Sequence, residues 1–349
     1  MRAAMVLEEL AARFRVYLLI IPVRGETETP RLPAEVERWC AGFRVLAASE
    51  HVDPDFPAGA DAPYLHYPKP LEYRYATPEN IRAAAETFGG VRFNAVHVFR
   101  LFLAPFAEPY FGSAWCTLDL DDFQSKSRAR LARLYAANGE REAARRERIQ
   151  SRRFAEAERL YLPRFNRVYL AGAGDARAVA RKYRLDNVAV LPNAVRAPAR
   201  PAPPHNGIFT LLLLGTLDYY PNIDAARYFC AEILPHLRRM SPGPFRVLIA
   251  GVRPTKEVLA LATHAEVTVC PNVPDVAACY AESDVVIVPL RAGGGSRIKI
   301  LEAAAHGRPV ISTTVGAENL DVAVTLADTP EQFAAACVRH MLTRRQCVS

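Results

Sequence analysis

Short, unbroken apolar runs recur along the chain and alternate with stretches whose apolar residues follow helical spacing. In the second half the runs are IFTLLLLG (208–215), FRVLIAG (245–251), EVTVCP (266–271), DVVIVPL (284–290) and RPVIS (308–312). Between them lie segments such as NIDAARYFCAEILPHLRRM and RIKILEAAAHG. Strands alternating with helices predict right-handed β-α-β units and a parallel sheet. Apolarity that is continuous and not alternating predicts strands covered on both faces. The first half keeps the rhythm less regularly, in RVYLLIIPV (15–23), FRVLA (43–47), NAVHVF (94–99), AWCTLDL (114–120), NRVYLA (166–171) and NVAVLP (187–192). A long polar segment interrupts it after the fourth run and predicts two helices. The stretch VRAPARPAPPHNG (195–207) holds four prolines in thirteen residues, so it reads as a semi-rigid linker. The predicted class is α/β, with two doubly wound parallel-sheet (Rossmann-like) domains facing across a cleft. Residues 1–194 form the first domain, 195–207 the linker and 208–349 the second.

Composition agrees with this picture. The chain has 349 residues, half of them apolar, which suffices for two cores. No run of eighteen apolar residues predicts a membrane span, and MRAAMVLEEL lacks the long apolar stretch of a signal peptide. The seven cysteines are odd in number and form no C-x-x-C pair, which reads as reduced thiols of a cytoplasmic protein, with no zinc spacing. The net charge is +7, and the segment 124–164 alone holds twelve Lys or Arg against five Glu. That local excess is either a solvated helical face or a surface for anionic lipid headgroups or a phosphate-bearing acceptor. No nucleic-acid recognition motif accompanies it.

The richest chemistry lies in RAGGGSRIKILEAAAHGRPVIST (291–313). Gly293, Gly294 and Gly295 would form the turn between a strand and a helix capped by Ser296. Glycines there let backbone N–H groups approach an anion, and the helix N-terminus adds partial positive charge. Arg297 and Lys299 add full charges where cations are unfavourable by about 0.3–1 kcal/mol each, which makes sense if a polyanion neutralises them. Glu302 would accept the hydroxyl protons of a ribose diol. Together these describe a nucleotide-diphosphate site. The Walker pattern is absent, and G-x-G-x-x-G fails at Ile298.

The segment VPLRAGGGSRIKILEAAAHGRPVISTTVGAENL closely resembles the donor-binding segment of family 4 (group 1) glycosyltransferases. LLLLGTLDYYPNIDAARYFCAEILPHLR, PDVAACYAESDVVIVPL and VYLAGAGDARAVARKYRLDNVAVLPNAV resemble other parts of the same family. The resemblance implies the GT-B fold and transfer of a sugar from a nucleotide donor, mostly with retention, without a metal or other cofactor. Glu302 matches the second glutamate of the family's paired motif, which holds the donor ribose. The first glutamate's place is taken by Gly294. Where relatives carry diphosphate-binding cations after the first-strand glycine, Gly215 is followed by Thr216, with Pro221 and Asn222 further on. Arg297 and Lys299 are expected to replace them. The chain begins inside what resembles the family's first helix and stops early, so the resemblance also implies a shortened N-terminus and C-terminus.

In the first domain the resemblance points to LDLDDFQS and NAVHVFRLF. Asp121, in the place of a family histidine, would face the donor sugar from a strand's carboxyl end, or else cap the helix starting near Ser125. His97 is either a cleft residue or a satisfied core histidine, and Arg100 is the better candidate for an anionic ligand. His306 would complement a helix C-terminus. Asp119-Leu-Asp121 formally reads D-x-D, but the GT-B fold generally needs no metal. The leading expectation is a glycosyltransferase at the inner face of the cell membrane, acting on a polysaccharide or lipid-linked acceptor. The alternative is an inactive GT-B protein that binds nucleotide-sugar or a partner, and the failed dinucleotide pattern argues against an oxidoreductase.

Overall fold

The computed structural model describes residues 2–22, 32–47, 51–57, 59, 61–195, 207–273, 275–295 and 297–348, and most of the expected linker lies outside them. The chain divides into two units, Met1–Asn193 and Ala194–Ser349.

In the second unit the unbroken apolar runs become a six-stranded, all-parallel sheet. Its strands are β7 (Phe209–Thr216), β8 (Phe245–Val252), β9 (Val267–Pro271), β10 (Val285–Val288), β11 (Val310–Ser312) and β12 (Thr325–Leu326), in the order β12-β11-β10-β7-β8-β9. Continuous apolarity is explained by two cores, one on each face. Leu211, Leu213, Ile249 and Ile287 point to the face covered by Phe229 and Phe333. Their neighbours Leu212, Leu214, Leu248, Val286 and Val288 point to the face covered by Tyr280, Ile300 and Ala303. Burying both faces makes the middles of these strands almost wholly apolar, as a doubly wound sheet requires, and leaves polar residues such as Arg246 and Thr216 near the strand ends. The strand order reverses between β7 and β10, and ligands of such sheets bind outside the carboxyl ends of the strands at that reversal. The sequence pattern did not reveal β12, a strand of two residues.

The first unit is built on β3 (Ala95–Phe99), β4 (Trp115–Asp121), β5 (Arg167–Leu170) and β6 (Val188–Val190), parallel and in chain order. β1 (Tyr17–Ile20) and β2 (Gly42–Val45) pair in parallel with each other as a separate two-stranded sheet. A single sheet would have been the simpler outcome of the pattern. Aromatic packing, not backbone pairing, ties β1 to the entry of β3: Tyr17 stands edge-on to Phe88 and Phe93 at 5.2 and 5.7 Å between ring centres. The basic segment forms the helices Gln124–Ala137 and Arg141–Tyr161, as expected. Phe154 of the second anchors the pair in the core beside Leu118 and Leu120.

Candidate functional site

At the reversal point of the six-stranded sheet, β7 ends in Gly215 and Thr216, and the glycine turn follows β10. Gly293 and Gly295 have φ of 119° and 71°, in the left-handed region that favours glycine. The helix begins at Ile298, with Arg297 as its cap, and not at the expected Ser296, which lies outside the described residues. Arg297 makes no side-chain cap. It is buried, and its Nη1 donates to the Gly294 carbonyl at 2.7 Å, folding the turn around the guanidinium. Arg291 fastens the same turn to the helix Tyr220–Tyr228, its Nε donating to Asp224 Oδ2 at 2.9 Å.

The expected residues from two distant segments meet here. Lys299 Nζ donates to Asn222 Oδ1 at 2.9 Å, and Asn222 Nδ2 donates to the Thr216 carbonyl at 2.9 Å. A methyl group on Gly215 would stand 2.7 Å from Asn222 Nδ2 and 3.0 Å from Lys299 Nζ, so glycine there is required by the close approach. Lys299 thus places an ammonium beside the first strand's end, although its backbone belongs to the helix after the fourth strand in sequence. Lys299 is half-buried as a residue, and its ammonium end is desolvated beside Gly215 and Asn222. Burial and the neighbouring Arg297 charge pull its pKa down to about 7, with Glu302 opposing. Glu302 is itself held, because the Tyr280 hydroxyl donates to its Oε2 at 3.0 Å. Sequence reasoning missed Tyr280 and Asn222. The only available signal was Asn222's place, where a cation was expected.

The first unit gathers its candidates at the carboxyl ends of β3 and β4. Arg100 Nη2 lies 2.7 Å from Asp121 Oδ2. Both residues have positive φ, 82° and 56°, a conformation that costs a non-glycine residue about 1–3 kcal/mol and persists only where surroundings enforce it. Burial raises the Asp121 carboxyl above its ordinary range, against the pull of Arg100 and Arg2. Asp121 does not cap the following helix, which begins at Gln124 without a side-chain cap. Asp119 is occupied by Arg2, whose Nε lies 2.9 Å from Oδ2 and which also donates to the Leu191 carbonyl and Asn193 Oδ1. His97 sits in mid-strand, paired in register with Thr117, its Nδ1 2.8 Å from Thr117 Oγ1. Burial lowers its pKa, with Arg2 adding to the shift and Asp119 opposing it, and its Nε2 is buried without a hydrogen-bond partner among the described residues. His306 is the cap after the helix Ile298–Ala305, as expected, and stacks on Tyr280.

The family described as "Glycosyl transferases group 1" matches residues 208–342, which contain the whole six-stranded sheet. A comparison with curated proteins finds no match. Among solved structures, HepE of Anabaena in complex with UDP and glucose shares 12% identity, covering 98% of this chain and 87% of its own, with a TM-score of 0.60. An α,α-trehalose-phosphate synthase (UDP-forming) of Burkholderia vietnamiensis shares 15% over 94% and 84%, at 0.60. TarM of S. aureus shares 10% at 0.54, and the match covers 78% of this chain but 55% of TarM. At these identities the likeness is one of fold, the GT-B architecture of two Rossmann-like domains.

The buried ammonium generates a stability prediction. An unfolded lysine titrates near about 10.4, so between about 7 and 10.4 the unfolded chain binds more protons than the folded one. The charged-lysine penalty is therefore complete below pH 7 and disappears as pH rises through that window. Wild-type protein should gain stability relative to Lys299→Met between pH 7.5 and 9.5, by up to about 1.4 kcal/mol per pH unit. Urea midpoints measured at both pH values check this, and identical pH dependence in the two proteins contradicts an enclosed ammonium.

Proposed function

We propose that this chain is a glycosyltransferase that moves a hexosyl-type sugar from a nucleoside-diphosphate donor to a polysaccharide or lipid-linked acceptor, with retention. The observation that carries it is the meeting of Lys299, Asn222 and Gly215 at the sheet's reversal point, beside a positive-φ glycine turn and a carboxylate. The diphosphate would lie against the Lys299 ammonium and the backbone N–H groups of the turn, with Arg297 bracing it. Glu302 would accept the ribose hydroxyls. The reading needs no metal, since side chains supply the positive charge. The departing diphosphate oxygen would take the acceptor's proton, and the protein's contribution is fixed positive charge where negative charge develops, on the order of 2.7–4 kcal/mol per donor group. Arg100 and Asp121 are the first unit's candidates for the sugar or acceptor. An inactive nucleotide-sugar binder is the second reading, favoured by Gly294, which leaves no carboxylate for the transferred sugar.

If the clamp is as described, Arg297→Gln with Lys299→Gln should leave the empty protein's stability little changed, because relief of two cations at a helix N-terminus offsets the lost bonds to Gly294 and Asn222. Calorimetry with UDP should show affinity falling by about 1.5–3 kcal/mol per charged bond lost, while uridine binding barely changes. A parallel loss for both ligands would place the clamp elsewhere.

The same reading includes peripheral contact with an anionic membrane at the cytoplasmic face. No helix among the described residues is long and apolar enough to cross a membrane. The structure sorts the basic segment. Lys126 is spent on Asp175 at 2.7 Å, and Arg128 on Glu72 and Glu147 at 2.7 and 3.0 Å. By contrast Arg141, Arg145, Arg148, Arg152 and Arg159 are exposed and have no ion-pair partner among the described residues. Their spacings of four, three, four and seven put all five on one face of the helix Arg141–Tyr161. At about 1 kcal/mol per residue near an anionic surface, five suffice for weak, salt-sensitive binding. Co-sedimentation should occur with phosphatidylglycerol vesicles and not with phosphatidylcholine, and it should be lost on adding salt or on changing Arg145, Arg148 and Arg152 to Gln. Binding indifferent to lipid charge contradicts it.

A further inference from the structure

We infer that Tyr280 is a positioning residue that makes the site selective for ribonucleotides, by holding Glu302 so that its carboxylate meets both hydroxyls of the ribose. The inference rests on the donor reading above and deepens it. Tyr280 comes from the helix Val276–Ala281, and it is completely buried, 0% exposed, in the core between that helix and the sheet. Its hydroxyl lies 3.0 Å from Glu302 Oε2 and 3.2 Å from the Lys299 carbonyl, so it spans the first and second turns of the helix Ile298–Ala305. The ring is stacked on the His306 imidazole, with 4.6 Å between centroids and 15° between planes. It therefore touches that helix near its start, its middle and its end.

A glutamate has three rotatable bonds, and fixing such a side chain costs affinity when a ligand must do the ordering. Here a core tyrosine has done it beforehand. With Oε2 accepting from Tyr280, Oε1 has no hydrogen-bond partner among the described residues, and Glu302 keeps partial exposure. A carboxylate oxygen has two acceptor positions, so Oε1 can accept one hydroxyl while the second position of Oε2 accepts the other. Burial first, and then the Glu302 charge, push the Tyr280 phenol far above its ordinary pKa, so it stays a donor. The selectivity follows from the general asymmetry of buried polar sites. A ligand lacking a hydroxyl leaves a fixed acceptor unpaired, whereas a free carboxylate would turn back to water.

The test is calorimetric titration of the full-length protein with UDP and with 2′-deoxy-UDP, using wild type, Tyr280→Phe and Glu302→Gln. Wild type should bind UDP at least tenfold more tightly than the deoxy compound. Tyr280→Phe keeps the ring, its burial and its stacking on His306, and should reduce that ratio to threefold or less, mainly by weakening UDP. Glu302→Gln should also reduce it. A tyrosine that only supports the fold would weaken both ligands equally, so an unchanged ratio in Tyr280→Phe overturns the inference, and an unchanged ratio in Glu302→Gln as well overturns Glu302's place at the ribose with it. A wild-type ratio near one removes Glu302 from the ribose and overturns the inference together with that part of the donor reading. Loss of UDP binding in Tyr280→Phe with an unaltered melting temperature and a ratio too weak to measure is resolved by competition against labelled UDP, where the same two ratios decide.

Discussion

The second unit's site depends on one contact, the Lys299 ammonium held between Gly215 and Asn222. Without a Cβ at position 215 the side chains can approach the end of β7, and Asn222 supplies a neutral oxygen on which the ammonium rests. Its amide then reaches back to the Thr216 carbonyl, so the first strand, the helix after it and the helix after β10 are joined in one network. The cost is electrostatic. An enclosed ammonium beside an arginine is unfavourable, and the molecule shows it as a lysine brought down to about 7. Such perturbation is common at functional sites, and here a polyanion would convert the penalty into affinity.

The first unit stores its constraint in the backbone instead. Arg100 and Asp121 both hold positive φ at adjacent strand ends and are ion-paired there. Arg2 reaches from the first helix to Asp119, to the Leu191 carbonyl and to Asn193, which draws the ends of β4 and β6 together. This rigid pairing of charges leaves Arg100 partly exposed, with about a third of its side chain open. It is the one guanidinium of the cluster able to meet a ligand, since Arg2 is buried.

What could be read in the sequence divides along physical lines. All eleven apolar runs became strands, and the clearest are those of the second unit, where burial on both faces keeps the strand middles apolar. The glycine turn was legible because positive φ narrows the choice of residue. The cations missing near Thr216 drew attention to Arg297 and Lys299, but the meeting of Lys299 with Gly215 and Asn222 is visible only in three dimensions. The partners that shape the site were not legible. Tyr280 looks like any aromatic in an apolar helix, and nothing local says that its hydroxyl reaches Glu302, twenty-two residues away. Arg2 and Asp119 are 117 residues apart. β12 is too short for periodicity, and the separation of β1 and β2 from the main sheet is a matter of pairing that apolarity does not encode. Charge counting found the basic segment, but only the helix geometry separated the arginines already paired from the five on one exposed face.

On the donor reading, the Lys299 ammonium, near neutral poise in the empty protein, becomes fully charged against a diphosphate. Titrating UDP calorimetrically at pH 8 in buffers of different ionisation enthalpy reads this directly as protons taken up per ligand bound. With a resting pKa of about 7, uptake should approach one proton per UDP in wild type and be absent in Lys299→Met. UDP binding with no proton uptake by the wild-type protein would contradict it.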